Sequence, residues 1–340
     1  MHQQSVGTNS NDLPLVSIAL ATYNGSAYLG ELLDSIEAQT YANIEIIVAD
    51  DCSTDDTRSL LLTRRWLRPH QVLDIVQRAG VVGNFSRALD ACNGRYLAFA
   101  DQDDWWHPTK IAELVKRVAA FEDATGSQAP VLVFSDIEIV DANLVRVEES
   151  FFLRGYQSSE CRRLADFLIV NHVPGCAMLF NRALLDRALP FPAGLFMHDW
   201  WLCMVAVAFG RIDFVDSPLI KYRQHGGNVV GAKGRRSSTG QKLSNIFRPS
   251  AWANWFAFIR PPEESVRVSA LNIALFEQRF RQQLPIAAAG DMHLFKRGGT
   301  NLIAAIRFAA TAKTGERFLY SVAFMKAAKA SSRLLETSIR

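Results

Sequence analysis

Short apolar runs alternate with helix-period segments along the first hundred residues. Residues 15–21, LVSIALA, form an apolar run that ends in Thr22-Tyr23-Asn24-Gly25 and predicts a buried strand feeding a loop. Over residues 26–39, Leu29, Leu32, Leu33 and Ile36 recur at the 3–4 spacing of a helix with one buried face. Residues 44–49, IEIIVA, predict a second strand ending at Asp50-Asp51, and Ser53-Thr54-Asp55-Asp56 supplies cap chemistry for a helix after it. A third strand is expected at 72–76, a helix at 82–92, and a fourth strand at 96–100 that stops at Asp101. Strands alternating with helices through short links imply a mainly parallel sheet covered on its faces. Such sheets bind ligands beyond the carboxyl ends of their strands. The acidic groups 50–51 and 101–104 fall at those ends. Further on, short strands are expected at 131–135, 176–180, 212–215 and 219–222, and helices at about 108–121, 161–170 and 198–209. Residues 232–242 are polar, basic and rich in Gly and Ser, reading as a linker. Helical patterns follow at 264–283 and 300–335. The fold class is α/β with a C-terminal helical region.

Composition adds two constraints. With 340 residues, 49% hydrophobic and 21% charged, the chain can bury a core, which excludes disordered and small disulfide-scaffold classes. Its net charge of +3 hides an uneven distribution. From residue 232 onward there are 18 Lys and Arg against 6 Asp and Glu; before it, 19 against 28. An acidic body followed by a basic region suggests cation-dependent chemistry in the first and an anionic contact for the second. Five scattered cysteines with no CxxC pair argue against a disulfide framework and favour a reducing compartment. The polar N-terminus lacks the apolar core of a signal peptide, and no apolar run approaches the roughly 20 residues of a membrane span. A cytoplasmic protein is expected.

Four groups of residues carry candidate chemistry. Asp101-Gln102-Asp103-Asp104 can aim two carboxylates at one point, a hard-oxygen set suited to Mg²⁺ or Mn²⁺; alternatively Asp103 or Asp104 caps the helix near Pro108. Asp50-Asp51 can accept from the imide N–H of a pyrimidine, or cap a helix. Met197-His198-Asp199-Trp200-Trp201 places a carboxylate beside two indoles. That suits a general base in an apolar pocket, or else an N-cap with core tryptophans. Lys221-Tyr222-Arg223-Gln224-His225 offers His225 as a metal or phosphate ligand, and Arg223, Lys233, Arg235 and Arg236 as diphosphate partners, against a solvated turn. No GxGxxG follows a strand, and no GxxxxGK[ST], GxSxG or HExxH is present.

In order along the chain, these segments resemble a family 2 glycosyltransferase with the GT-A nucleotide-diphospho-sugar transferase fold. The resemblance runs from about Pro14 to Gly231. It rests on VSIALATYNGSAYLGELLDSIEAQTYANIEIIVADDCSTDDT, GNFSRALDACNGRYLAFADQDDWWHPTKI, HDWWL and YRQHGGNVVG. It implies that Thr22, Tyr23 and Asn24 lie against the nucleotide and that Asp51 binds its base. Asn84, Arg87 and Gln102 would join the donor site. Asp101 and Asp103, the DxD-type pair, would bind the metal with help from His225, and Asp199 would be the catalytic base. The Glu of the family's ED-type pair is replaced by His198. His172, Gly175, Trp200 and Trp201 are the implied acceptor contacts. HDWWL followed by YRQHGGNVVG looks most like the bacterial rhamnosyltransferase-like branch. That implies an inverting, Mg²⁺- or Mn²⁺-dependent transfer from dTDP-L-rhamnose to a glycan or lipid-linked oligosaccharide of a surface polysaccharide such as O-antigen or capsule. A UDP-hexose or UDP-N-acetylhexosamine donor, or a degenerate nucleotide-sugar-binding protein, are the alternatives. A sugar-phosphate nucleotidyltransferase would need a Gly-rich basic loop after the first strand, which is missing.

The expected organisation is a disordered tail over 1–13, a transferase domain over 14–231, a basic loop over 232–245 and a helical region over 246–340. Residues 246–262, IFRPSAWANWFAFIRPP, combine Phe, Trp and Arg without an acid. They suit an interfacial segment on the inner face of an anionic membrane or a helix packed on the transferase domain, while the helices after them could form a homo-oligomer contact. No nucleic-acid module is expected.

Overall fold

The computed structural model describes residues 13–74, 76–153, 158–226 and 263–298, with a few positions beyond (301, 303–304, 307–308 and 325). One half of the sheet is parallel. It holds β1 (Val16–Thr22), β2 (Ile44–Asp50), β3 (His70–Val72) and β4 (Tyr96–Asp101), in the order β3-β2-β1-β4. Between them run α1 (Leu29–Glu37), α2 (Thr57–Thr63) and α3 (Gly80–Ala91). The apolar runs of β1, β2 and β4 are buried because helices cover both faces, as parallel sheets require. Register decides where they stop. Thr22 lies opposite Asp50, and Ala21 opposite Asp101, so three strands end in one row with neighbours about 4.8 Å apart.

The other half is mixed. β8 (Met178–Asn181) runs antiparallel to both β4 and β6 (Val131–Val140). β9 (Arg211–Arg223) runs parallel to β6, and β5 (Trp105–Trp106) pairs antiparallel with β9. β7 (Arg146–Glu148) pairs with β6. The strands expected at 212–215 and 219–222 are therefore one strand. Asp216-Ser217-Pro218 breaks its apolar pattern, but β6 pairs on both sides of the break and register shifts absorb the extra residues. The third strand forms at 70–72 instead of 72–76, as a short polar edge. The helix expected at 161–170 shortens to α5 (Leu164–Phe167), and a 3₁₀ turn over Gly175–Ala177 delays β8.

The remaining helices are α4 (Lys110–Thr125), α6 (Arg182–Ala188), α7 (His198–Phe209), α8 (Glu263–Phe280) and α9 (Ile286–Gly298). Every residue from His198 to Ala206 is buried, because a helix apolar on all sides must be covered all round. Part of that cover comes from α8: the Trp201 ring lies 5.6 Å from Phe276 and 5.8 Å from Phe280. Asp291 of α9 accepts from the Arg163 guanidinium at 2.6 Å and from Ala165 N–H at 3.2 Å. The described C-terminal helices thus pack on the core of the α/β domain. The loop at 232–245, the aromatic segment 246–262 and most of 300–335 lie outside the described residues, as do Lys233, Arg235 and Arg236. Among the described residues no helix is long and apolar enough to cross a membrane.

Candidate active site at the strand ends

The loop leaving β1 is tied to the end of β4. Tyr23 N–H donates to Gln102 Oε1 (2.8 Å), and Gln102 Nε2 donates back to Tyr23 O (3.0 Å). Gly25 permits this clamp, since a Cβ there would lie 2.2 Å from Gln102 Oε1. Asn24 adopts φ 49°, a left-handed conformation that Asn tolerates. Its side-chain oxygen accepts from Thr54 N–H at 2.8 Å, and its own N–H donates to Ser53 Oγ at 2.9 Å. Gln102 and Asn24 are therefore loop ties.

Asp51 holds the N-terminus of α3. Ala79 and Gly80 N–H groups donate to its two oxygens at 2.7 and 2.9 Å, with Gly80 at φ 69°. The cap alternative is thus realised, on α3 instead of α2. Each carboxylate oxygen retains a second acceptor position, and Asp51 lines a cleft of about 310 Å³ beyond the strand ends. Arg78 builds the wall beside it, with its guanidinium 3.8 Å over the Tyr23 ring and 3.7 Å from Asp51. Asn84 donates from Nδ2 to Ala49 O at 2.7 Å, while its buried Oδ1 has no partner among the described residues.

Asp101 and Asp103 line the same cleft. Burial raises the Asp101 carboxyl, and the charges of Asp103 and Asp199 add to it. Asp103 Oδ2 lies 2.9 Å from His225 Nε2. The pairing of Trp105 with Lys221 and Trp106 with Ile220 brings this histidine back across 122 positions of chain. Neither Asp103 nor Asp104 caps α4. Asp104 is fully buried behind the cleft, where its Oδ1 accepts from Arg223 N–H at 3.3 Å. Cys176 places its thiol with Asp101 and Asp104, their ligand atoms within 4.8 Å of one another. Burial and the charges of Asp104 and Asp101 push that thiol well above its ordinary range, and hard ions such as Mg²⁺ and Mn²⁺ prefer oxygen to sulfur. Lys110, also fully buried, donates to Cys176 O at 2.7 Å and sits 3.2 Å over the Trp106 ring. Burial pushes this ammonium down to about 7, opposed by the nearby acids.

Asp199 occupies the first turn of α7 and lines the same cleft. Met197 is the N-cap, so Asp199 is not. Gly175 N–H donates to its Oδ2 at 3.1 Å and Trp200 N–H to its Oδ1 at 2.6 Å. Burial pushes its carboxyl up to about 6, while those N–H groups and the Asn171 side chain pull the other way.

The cleft thus unites Thr22, Tyr23, Asp51, Asn84, Asp101, Gln102, Asp103, Gly175 and Asp199. Several expected contacts lie elsewhere. Trp200 is buried with Nε1 donating to Phe167 O at 2.7 Å, and Trp201 is fully buried with Nε1 donating to Ala188 O at 3.1 Å. Both are core residues, because the apolar helix they belong to is enclosed. His172 accepts from Ser158 N–H at Nδ1 and donates from Nε2 to Asp166 O, which turns both ring nitrogens to backbone outside the cleft lining. Arg87 lies behind Asp51, donating to Gln77 O at 2.8 Å. Arg223 is no diphosphate partner: its Nε donates to Asp103 O at 2.8 Å, it pairs with Glu31, and it stacks 4.4 Å from the Tyr28 ring. Arg78 and Lys110 were not foreseen. No local pattern marks Arg78; Lys110 stands one residue before the buried stripe Ile111-Leu114-Val118, which is the available signal.

A parallel half-sheet joined to a mixed half, with acids at its carboxyl ends, is the GT-A architecture. The sequence model of the family Glycosyl transferase family 2 matches residues 17–187. The chain belongs to that family and is a glycosyltransferase. It is 28% identical over 227 residues to the dTDP-rhamnosyl transferase RfbG of Shigella flexneri, covering 63% of this chain and 74% of that protein. Over 105 residues it is 38% identical to the UDP-Glc:alpha-D-GlcNAc-diphosphoundecaprenol beta-1,3-glucosyltransferase WfaP of Escherichia coli, covering 30% of this chain and 41% of the relative. The chain spans just under two thirds of the length of several other curated relatives it matches. In fold it resembles the mannosyltransferase PcManGT of Pyrobaculum calidifontis, solved with GDP-Man and Mn²⁺. The TM-score is 0.53 at 18% identity, over 97% of this chain and 90% of that one.

Proposed function

We propose that this cleft transfers a sugar, with inversion at the anomeric carbon, from dTDP-L-rhamnose to a hydroxyl of a glycan or lipid-linked oligosaccharide in surface-polysaccharide synthesis. The observation that carries the reading is that Asp101, Asp103 and Asp199 line one cleft beyond the strand ends, close enough that the Asp199 charge acts on Asp101. Thr22, Tyr23 and Asp51 form its nucleotide end, with Asp51 accepting from the imide N–H of the base, and Asn84 joins the donor site. Asp199 takes the proton of the acceptor hydroxyl as that oxygen attacks from the face opposite the diphosphate. Gly175 N–H fixes its orientation. A carboxyl raised to about 6 is a stronger base than an ordinary one and is still ionised at neutral pH.

The residues present fit a divalent cation. Asp101 and Asp103 present hard oxygens, His225 stands beside Asp103, and burial followed by the clustered negative charge raises Asp101. Bound there, Mg²⁺ or Mn²⁺ supplies charge neutralisation for the departing nucleoside diphosphate. A lipid-linked acceptor would place the protein at the inner face of the cytoplasmic membrane. The rhamnose donor is supported by the likeness to RfbG; a UDP-glucose donor is the second reading, favoured by the higher identity to WfaP over a shorter stretch.

The test is a panel of dTDP-rhamnose, UDP-glucose, UDP-N-acetylglucosamine and GDP-mannose with Mg²⁺ or Mn²⁺, reading nucleoside diphosphate release and the product anomer. dTDP-rhamnose is expected to turn over fastest, with inversion. Faster turnover of UDP-glucose would select the second reading, and a retained anomer would defeat the inverting mechanism. Arg78→Met is expected to raise the donor KM about two- to fivefold with kcat unchanged, as loss of an exposed cation–π wall predicts. Steady-state kinetics check this, and an unaltered KM removes Arg78 from the donor site.

A further inference from the structure

We propose that His198 is a sugar-recognition residue, its imidazole hydrogen-bonding a hydroxyl of the sugar held in the cleft and so setting which sugar is accepted. This deepens the transfer reading above and rests on it. His198 is 3% exposed, yet neither Nδ1 nor Nε2 has a hydrogen-bond partner among the described residues. Buried polar atoms in folded proteins are nearly always paired, and an unpaired one is destabilising. Two on one ring are not explained by packing. The ring sits among Phe85 (4.2 Å between centroids), Phe99 (4.6 Å) and Phe191 (6.5 Å), where a phenylalanine would fill the space without stranding a polar atom.

His198 lines the cleft, with both ring nitrogens just beneath its surface. Gly175 lies directly beside it: a Cβ there would lie 3.5 Å from His198 Nε2 and 3.4 Å from Asp199 Cβ. Burial pushes the ring's pKa down to about 3, so it is neutral at physiological pH with one N–H donor and one acceptor nitrogen. Either nitrogen can meet a hydroxyl, which both donates and accepts; because the two diverge, one hydroxyl engages one of them. Asn84 Oδ1 is a second buried, unpartnered atom lining the same cleft. Because Nδ2 is held by Ala49 O, this oxygen is a fixed acceptor. Polar atoms at two points with the Phe85 ring in the same lining suit a sugar, which has hydroxyl edges and an apolar C–H face. His198 also adjoins Asp199, which places it at the sugar end of the cleft and away from the nucleotide end at Asp51.

The test compares His198→Phe and His198→Gln with the wild type. Four quantities are measured: thermal midpoint, nucleoside diphosphate affinity, kcat/KM over the sugar panel, and discrimination against singly deoxygenated sugars. Hydrolysis without acceptor and transfer with acceptor are run separately. His198→Phe is expected to melt no lower than wild type and to bind nucleoside diphosphate normally. It should lose on the order of 10- to 100-fold in kcat/KM, together with discrimination against one deoxy sugar. His198→Gln should recover part of both. A loss in hydrolysis and transfer alike assigns the hydroxyl to the donor sugar; a loss in transfer alone assigns it to the acceptor. Wild-type turnover and sugar ranking in His198→Phe would overturn the proposal. So would equal losses in both variants with a parallel fall in nucleoside diphosphate affinity. If His198→Phe does not fold, His198→Gln and the deoxy sugars on the wild type decide. Absence of turnover by the wild type on every sugar removes the transfer reading itself, a result distinct from an unaffected variant.

Discussion

Asp199→Asn should abolish sugar transfer, lowering kcat by about 10²- to 10⁴-fold as loss of a positioned general base does. The amide keeps the size of the carboxylate and can still accept from Gly175 or Trp200 N–H, but it cannot take a proton at neutral pH. Nucleotide affinity should be nearly unchanged, because Asp51, Tyr23 and Arg78 line the other end of the cleft. The pH profile gives an independent check. Burial raises the Asp199 carboxyl to about 6, and only its ionised form is a base. Wild-type kcat/KM should therefore rise with pH through about 6 and level off above it. The residual activity of Asp199→Asn should lack this acid limb. Turnover near the wild-type rate in the variant would remove Asp199 as the base.

Asp103→Asn should weaken divalent-ion binding and activity together, by at least the about 10- to 100-fold seen when a supporting residue of a metal site is lost. Asp103 lines the cleft, and its Oδ2 lies 2.9 Å from His225 Nε2, so neutralising it removes an anionic oxygen and alters the histidine beside it. Asp104 cannot substitute, since it is fully buried behind the cleft. Calorimetric titration with Mn²⁺ reads binding without reference to turnover. Wild-type Mn²⁺ affinity in the variant would exclude Asp103 as a ligand.

Strand positions and acid positions were readable along the chain because both are local. Buried parallel strands are short apolar runs, and the residues after them must leave the sheet, so Asp51, Asp101 and Asp103 stood out by placement. Roles that depend on packing were not readable. Trp200 and Trp201 beside Asp199 resemble the wall of a sugar pocket, but α8 encloses Trp201 and the backbone of Phe167 takes the Trp200 indole N–H. His172 and Arg223 look like ligands in isolation. Each instead ties together backbone that the chain brings near it from elsewhere. Arg78 became visible only when Tyr23 was found beneath it.

By itself, the sequence determined the α/β class, the family and the acids at the strand ends. Alternating apolar runs and short acidic motifs are properties of neighbouring residues. Tertiary structure decided which polar groups face the cleft and which are consumed inside the protein. It separated Asp101 and Asp103 from the buried Asp104, placed Lys110 near them, and left both nitrogens of His198 without a partner among the described residues. The physical reason is that burial and hydrogen-bond satisfaction depend on groups far apart in the chain. Asp103 meets His225, and Asp199 meets Gly175, only after the sheet has closed its two halves around one cleft.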